Sequence, residues 1–151
     1  MARPPPAPDR LVRGARRAGG RGVIVVFDAL CPLCSRNDRF ILERDRARHF
    51  RLASVQSEAG RALYRRFALD ADDPETMLVV DGDRLHRDSD AVLAIARALG
   101  APWRAAAAAL RLVPRRLRDA AYRWVARNRF RLFGRHDTCW LPPPGYRDRL
   151  L

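Results

Sequence analysis

The chain has no lysine: all thirty of its basic Lys/Arg positions are Arg. A surface selected to hold polyanions would draw on Lys as well, since its ammonium is an equally good phosphate binder. So complete an absence points to a genome that writes Arg wherever a cation is tolerated. Cysteine is scarce too. Three cysteines, an odd number, exclude the disulfide framework of a small secreted domain. Long apolar runs are missing: the least polar stretch, AAAAALRLVP at 105–114, is broken by Arg111 and is far too short to span a bilayer. Residues 1–22 lack the uninterrupted apolar segment of a secretory signal. There is no internal repeat, and Trp103, Trp124 and Trp140 do not interleave with Arg in the manner of a base-stacking surface. These absences leave a soluble, cytoplasmic protein with no transmembrane segment and no specific nucleic-acid partner as the expectation.

What is present suits a single domain: 151 residues, 48% of them apolar. The net charge of +13 is unevenly spread. Residues 1–22 carry six Arg and one Asp, residues 23–100 are almost neutral, and residues 101–151 carry twelve Arg against three acids. The Arg-rich C-terminal region is therefore where a weak contact with an anionic surface is expected. The Pro-, Gly- and Arg-rich residues 1–22 show no periodicity and read as a disordered basic leader.

Val23 to Phe27 is a continuous β-branched and aromatic run, the pattern of a strand buried on both faces. Pro32 suits the first turn of a helix, which helical spacing carries to about Arg46. HFRLASV at 49–55 is a second strand. Ser57 is an N-cap for a helix bearing Ala59, Leu63 and Phe67. Met77–Val80 and Arg84–Arg87 flank Asp81-Gly82-Asp83 as a hairpin, and Ser89 is an N-cap for a helix over 90–99, closed by Gly100. This order, β-α-β-α-β-β-α over 23–100, is that of a thioredoxin-like or glutaredoxin-like α/β sheet domain. Residues 101–151 form a helical extension and tail packed on it: a helix over 102–113, a break at Pro114, and a long helix over 115–133 ended by Gly134. Leu117, Ala121, Trp124, Val125 and Leu132 are expected to turn inward as its apolar stripe. Asp119 lies four residues from both Arg115 and Arg123, within pairing reach.

Val23–Ser35 reads VIVVFDALCPLCS. Cys31 falls at the N-terminus of the first helix and Cys34 one turn in, so their sulfurs share a face. Free backbone N–H groups and the helix dipole favour a thiolate at Cys31. Cys31 is then the nucleophile of thiol–disulfide exchange and Cys34 the resolving thiol. Asp28, which closes the strand, either handles a proton or orders the loop by accepting N–H bonds. Two other readings stand beside this one: inert core cysteines, and a zinc-stabilised binding module in which Cys31, Cys34, His136 and Cys139 form a tetrahedral set. Cys139 is otherwise an isolated thiol, or a third redox thiol if the tail returns toward Cys31.

Asp28-Ala29-Leu30-Cys31-Pro32-Leu33-Cys34 resembles the signature of the DCC family of thiol-disulfide oxidoreductases. Further blocks agree: Ala53-Ser54-Val55-Gln56-Ser57, Asp88-Ser89-Asp90-Ala91-Val92, and Arg118 through Tyr122 and Ala126–Phe130 to Phe133-Gly134. The resemblance covers residues 23 to 150 and implies a thioredoxin-like fold, disulfide exchange through Cys31 and Cys34, and a disulfide-bearing protein or small thiol as substrate. No cofactor is needed, since electrons return from glutathione or a thioredoxin-type reductant. Thioredoxins place a proline directly before the strand facing the active site. Here Glu75 and Thr76 separate Pro74 from Met77.

Overall fold

A computed structural model describes residues 7–17 and 22–151. Four strands form one mixed sheet in the order β2-β1-β3-β4. The central β1 (Val23–Phe27) runs parallel to β2 (Phe50–Ser54) and antiparallel to β3 (Leu78–Asp81), which pairs with β4 (Arg84–His86) through the expected hairpin. Helix α2 (Pro32–Arg44) makes the crossover from β1 to β2, and α3 (Glu58–Arg66) follows β2. All five residues of β1 are buried because both faces of the sheet are covered. Ile24 and Val26 point to a core with Leu63 and Tyr64 of α3; Val23, Val25 and Phe27 point to the opposite core with Ile41 and Leu42 of α2. Ala91 and Ile95 of α4 (Asp88–Ala98) complete that second core. The fold is thioredoxin-like.

Two local features fix how β2 meets its neighbours. Ser57 caps α3 by accepting from the Gly60 N–H at 3.1 Å. A Cβ at Gly60 would stand 2.0 Å from the Ser54 carbonyl oxygen, so only glycine lets α3 approach the end of β2. On the outer side of β2, the 3-10 helix Pro144–Arg149 brings the tail back. Leu150 bridges to Leu52, and the Leu151 N–H donates to the Leu52 carbonyl at 2.8 Å. The buried Arg149 guanidinium donates to the Phe50 carbonyl and pairs with Asp45, which also accepts the His49 and Phe50 N–H groups. An edge that would otherwise offer open pairing groups is thereby covered.

Three expectations need correction. The N-terminal leader is not wholly without structure: residues 1–6 and 18–21 lie outside the described residues, but Pro8–Arg17 forms α1. Leu11 packs on the α3-side core, and Asp9 faces Arg66 at 3.4 Å. One half-buried leucine and one ion pair tie the helix to the domain despite a composition that reads as disordered. Second, Ser89 does not cap α4. Asp88 opens that helix, and the Ser89 hydroxyl donates to Asp119. Asp119 keeps Arg115 at 3.4 Å, while Arg123 pairs with Asp88 at 3.2 Å. Third, of the stripe expected to turn inward on the long helix, Val125 does so, but Leu117, Trp124 and Leu132 do not. After α5 (Trp103–Leu110), α6 (Arg115–Phe133) turns Tyr122, Val125, Ala126 and Arg129 toward the domain, while Leu117 and Trp124 are 62% and 61% exposed. Among the described residues no helix is long and apolar enough to cross a membrane.

Candidate active site

Cys31 is the N-cap residue of α2, with extended backbone, and Pro32 opens the helix. The Cys34 N–H donates to Cys31 Sγ at 3.3 Å. A cap normally uses an oxygen for this bond; here the sulfur takes the place of that oxygen. The two cysteines are free thiols. They divide one proton unequally. Donation from the Cys34 thiol and backbone N–H to Cys31, helped by the charge of Arg129, outweighs burial and lowers the Cys31 thiol to about 7. The same bond, together with burial, pushes the Cys34 thiol upward. The thiolate therefore belongs to Cys31 and the proton to Cys34.

Asp28 orders the loop between β1 and α2. Its Oδ1 accepts from the Leu30 N–H at 3.0 Å and from Gln56 Nε2 at 2.8 Å, and its Oδ2 faces Arg129 at 3.4 Å. Gln56 Oε1 accepts the Ala29 N–H at 3.1 Å, so one side chain from the β2–α3 corner holds both the loop and its carboxylate. Arg129, from α6, also donates to the Pro74 carbonyl at 2.8 Å. Tyr122 accepts the Met77 N–H at 3.1 Å, fixing the same stretch to α6.

These contacts frame a largely apolar cleft of about 190 Å³, lined by Cys34, Leu33, Pro74, Met77, Val125 and Arg129 among others. Cys34 opens into it, whereas Cys31 has 0% exposure. A larger polar cleft of about 480 Å³ adjoins it through Glu75, Thr76 and Ala126.

The site contains a group that sequence reasoning passed over. Asp38, one turn beyond Cys34 on α2, is fully buried, and neither carboxylate oxygen has a hydrogen-bond partner. Burial, with the negative charge of Cys31, holds its carboxyl well above the usual range. Its signal was an acid at an inward-facing helix position, four residues after a cysteine. Arg129 and Gln56 were legible only as parts of family blocks.

The tail does return to this loop. The His136 N–H donates to the Leu30 carbonyl and the Trp140 N–H to that of Ala29, both at 2.9 Å, and Trp140 stands edge-on to Phe27. Cys139 is nevertheless exposed, and among the described residues no three His, Cys, Asp or Glu side chains converge to hold a metal. Cys31, Cys34, His136 and Cys139 thus form no zinc set. The tail meets the loop through its backbone, not its ligand atoms.

A thioredoxin-like sheet with a Cys-x-x-Cys pair capping its first crossover helix defines a thiol-disulfide oxidoreductase architecture. Residues 25–135 match the DCC1-like thiol-disulfide oxidoreductase family, and the chain belongs to that family. It is 38% identical over 118 residues to a chloroplastic DCC family protein of Arabidopsis thaliana, covering 78% of this chain and 69% of the plant protein. It is 31% identical over 128 residues to the uncharacterized protein YuxK of Bacillus subtilis, covering 85% of this chain and 93% of that protein. No solved structure matches the chain at a significant level. With one relative assigned to a chloroplast, family membership does not support the cytoplasmic location expected from composition.

Proposed function

We propose that the protein exchanges disulfides through Cys31 and Cys34, with Cys31 as nucleophile. The observation that carries this reading is the helix cap in which Cys34 donates to Cys31 Sγ, leaving a thiol that ionises near neutrality. The Cys31 thiolate attacks one sulfur of a substrate disulfide. That S–S bond breaks, and the departing thiolate takes a proton from solvent. Cys34 then gives up its proton, attacks Cys31 Sγ and expels the second substrate thiolate. Two electrons pass to the substrate, and a Cys31–Cys34 disulfide remains. A reduced small thiol or a dithiol protein restores it, so the cycle needs no cofactor.

Because Cys31 has no exposed surface, the substrate sulfur enters from the Cys34 cleft, beside Arg129. The apolar lining there suits a disulfide next to an apolar side chain. Asp28 takes the loop-ordering role of its two expected ones, since its oxygens are occupied by Leu30, Gln56 and Arg129. Asp38, with both oxygens unpartnered one turn from Cys34, takes the role of proton acceptor for the resolving thiol in those molecules where its carboxyl is ionised.

Reduction of a model protein disulfide separates these roles. Cys31→Ser abolishes the reaction, and Cys34→Ser accumulates a mixed disulfide at Cys31 visible by mass. Single variants that both reduce the substrate at the wild-type rate would overturn the mechanism.

A further inference from the structure

Helix α6 carries two apolar faces, and the domain uses only one of them. Leu117, Trp124 and Leu132, seven and eight residues apart, fall along one line of the helix and are 62%, 61% and 53% exposed. Leu112, in the turn before α6, is 87% exposed. One flank of this line carries Arg116, Arg127 and Arg131, for which no acidic partner lies within ion-pairing distance among the described residues. The arginines nearer the domain, Arg115, Arg118, Arg123 and Arg129, are those that meet Asp90, Asp88 and Asp28. The only acid between residues 101 and 136 is Asp119, which is held by Ser89 and Arg115. The outer face is therefore apolar along its crest, apart from Asn128, whose amide turns back to donate to the Trp124 carbonyl at 2.7 Å, and cationic along that flank.

We propose that this face docks on an anionic lipid surface, with α6 lying flat, its leucines and Trp124 below the headgroups and Arg116, Arg127 and Arg131 among the phosphates. The charge pattern selects this occupant. A second copy of the chain would bring unneutralised arginines together across an apolar seam. A nucleic acid would engage the arginines but give three exposed leucines nothing to do. A bilayer rich in acidic headgroups answers both features at once, by the rule for interfacial amphipathic helices. The apolar line from Leu117 to Leu132 extends about 22 Å at 1.5 Å per residue, enough to be held along its length and too short to cross. The opposite face of the same helix supplies Tyr122, Val125 and Arg129 to the Cys34 cleft, so docking and thiol chemistry use separate sides of α6. The proposal does not depend on the redox reading.

The test is co-sedimentation of the full chain with two vesicle types at low ionic strength. One is pure phosphatidylcholine; the other has equal parts phosphatidylcholine and phosphatidylglycerol. The expected result is strong retention on the anionic vesicles alone, with a blue shift of tryptophan emission that Trp124→Phe removes. Replacing Leu117, Trp124 and Leu132 with Ser, all at exposed positions, should abolish retention while the far-ultraviolet spectrum and thermal midpoint stay unchanged. Each of Arg116→Gln and Arg131→Gln should weaken retention about fivefold, the worth of one cation at an anionic surface. Cys31→Ser should bind like the wild type. Equal retention on both vesicles, retention on neither, or retention that survives the triple Ser substitution would overturn the proposal. So would a dimer in which Trp124 is shielded from a soluble quencher, or retention on duplex DNA at the same salt that the triple Ser substitution leaves intact.

Discussion

Cys31 and Cys34 are chemically identical residues made unlike by a separation of three residues, one turn of helix. Cys31 sits where the Cys34 N–H and thiol point at its sulfur, and Cys34 is the donor in that arrangement. Alkylation of the reduced protein at Cys31 should thus rise with pH through a midpoint of about 7, as the thiolate forms. A midpoint at the ordinary free-thiol value would show that the cap does not act on the sulfur. Asp38 works in the opposite sense. Its carboxyl is raised above the unfolded value, so the folded state favours the protonated form. The resulting stability is intact at low pH and is lost as pH rises through the folded value. Asp38→Val, which removes two buried unpartnered oxygens, should stabilise the protein at neutral pH by about 1–3 kcal/mol, and the gain should shrink in acid. In kinetics the sign reverses: Asp38→Asn should leave attack by Cys31 intact and slow release of the mixed disulfide. If urea melts show no gain, or stopped-flow resolution is unchanged, Asp38 is neither strained nor a proton acceptor.

At the scale of elements, much was legible where the signal is local. Pro32 at a helix start, Ser57 as a cap, the turn at Gly82 and the span 115–133 closed by Gly134 all rest on residue chemistry within a few positions. The outward turn of α6 was not legible, because helical periodicity reports that a stripe exists without saying which of two stripes finds a partner. Leu117, Trp124 and Leu132 look the better core on composition. The domain instead takes Val125 with Tyr122, Ala126 and Arg129, since Tyr122 and Arg129 have specific bonds to make at Met77, Pro74 and Asp28. The α3–β2 contact is a further case: nothing near Gly60 in sequence announces that a backbone oxygen will lie where its Cβ would be. Gly60→Ala gains helix propensity but must push α3 off β2. A net loss of about 1–3 kcal/mol is expected from overpacking, read from chemical denaturation; a neutral or stabilised variant would mean that α3 shifts without resistance.

For the whole molecule, the decisive contacts join distant parts of the chain. Arg149 reaches Asp45 and Phe50 in the interior. Arg149→Met should destabilise the protein by about 3–5 kcal/mol, because Asp45 is left charged, buried and without its cation. A midpoint shift within error of the wild type would mean that the tail docks through Leu150 and Leu151 alone. Pairings of this kind span about a hundred residues, and no local pattern encodes them; that is why the strap over β2 and the Asp28–Arg129 contact could not be read in advance.

The loop that bears Asp28 to Leu30 is held by Gln56 from one corner, Arg129 from the long helix and the backbone of His136 and Trp140. Those anchors lie far apart in order of synthesis. On a ribosome, Cys31 and Cys34 emerge early, and more than a hundred residues must follow before His136 and Trp140 can close over the loop. Until then Arg129 is not beside the sulfurs. Before the tail is made, the Cys34 cap alone acts on the Cys31 sulfur, and the Arg129 charge and the closed loop are added last.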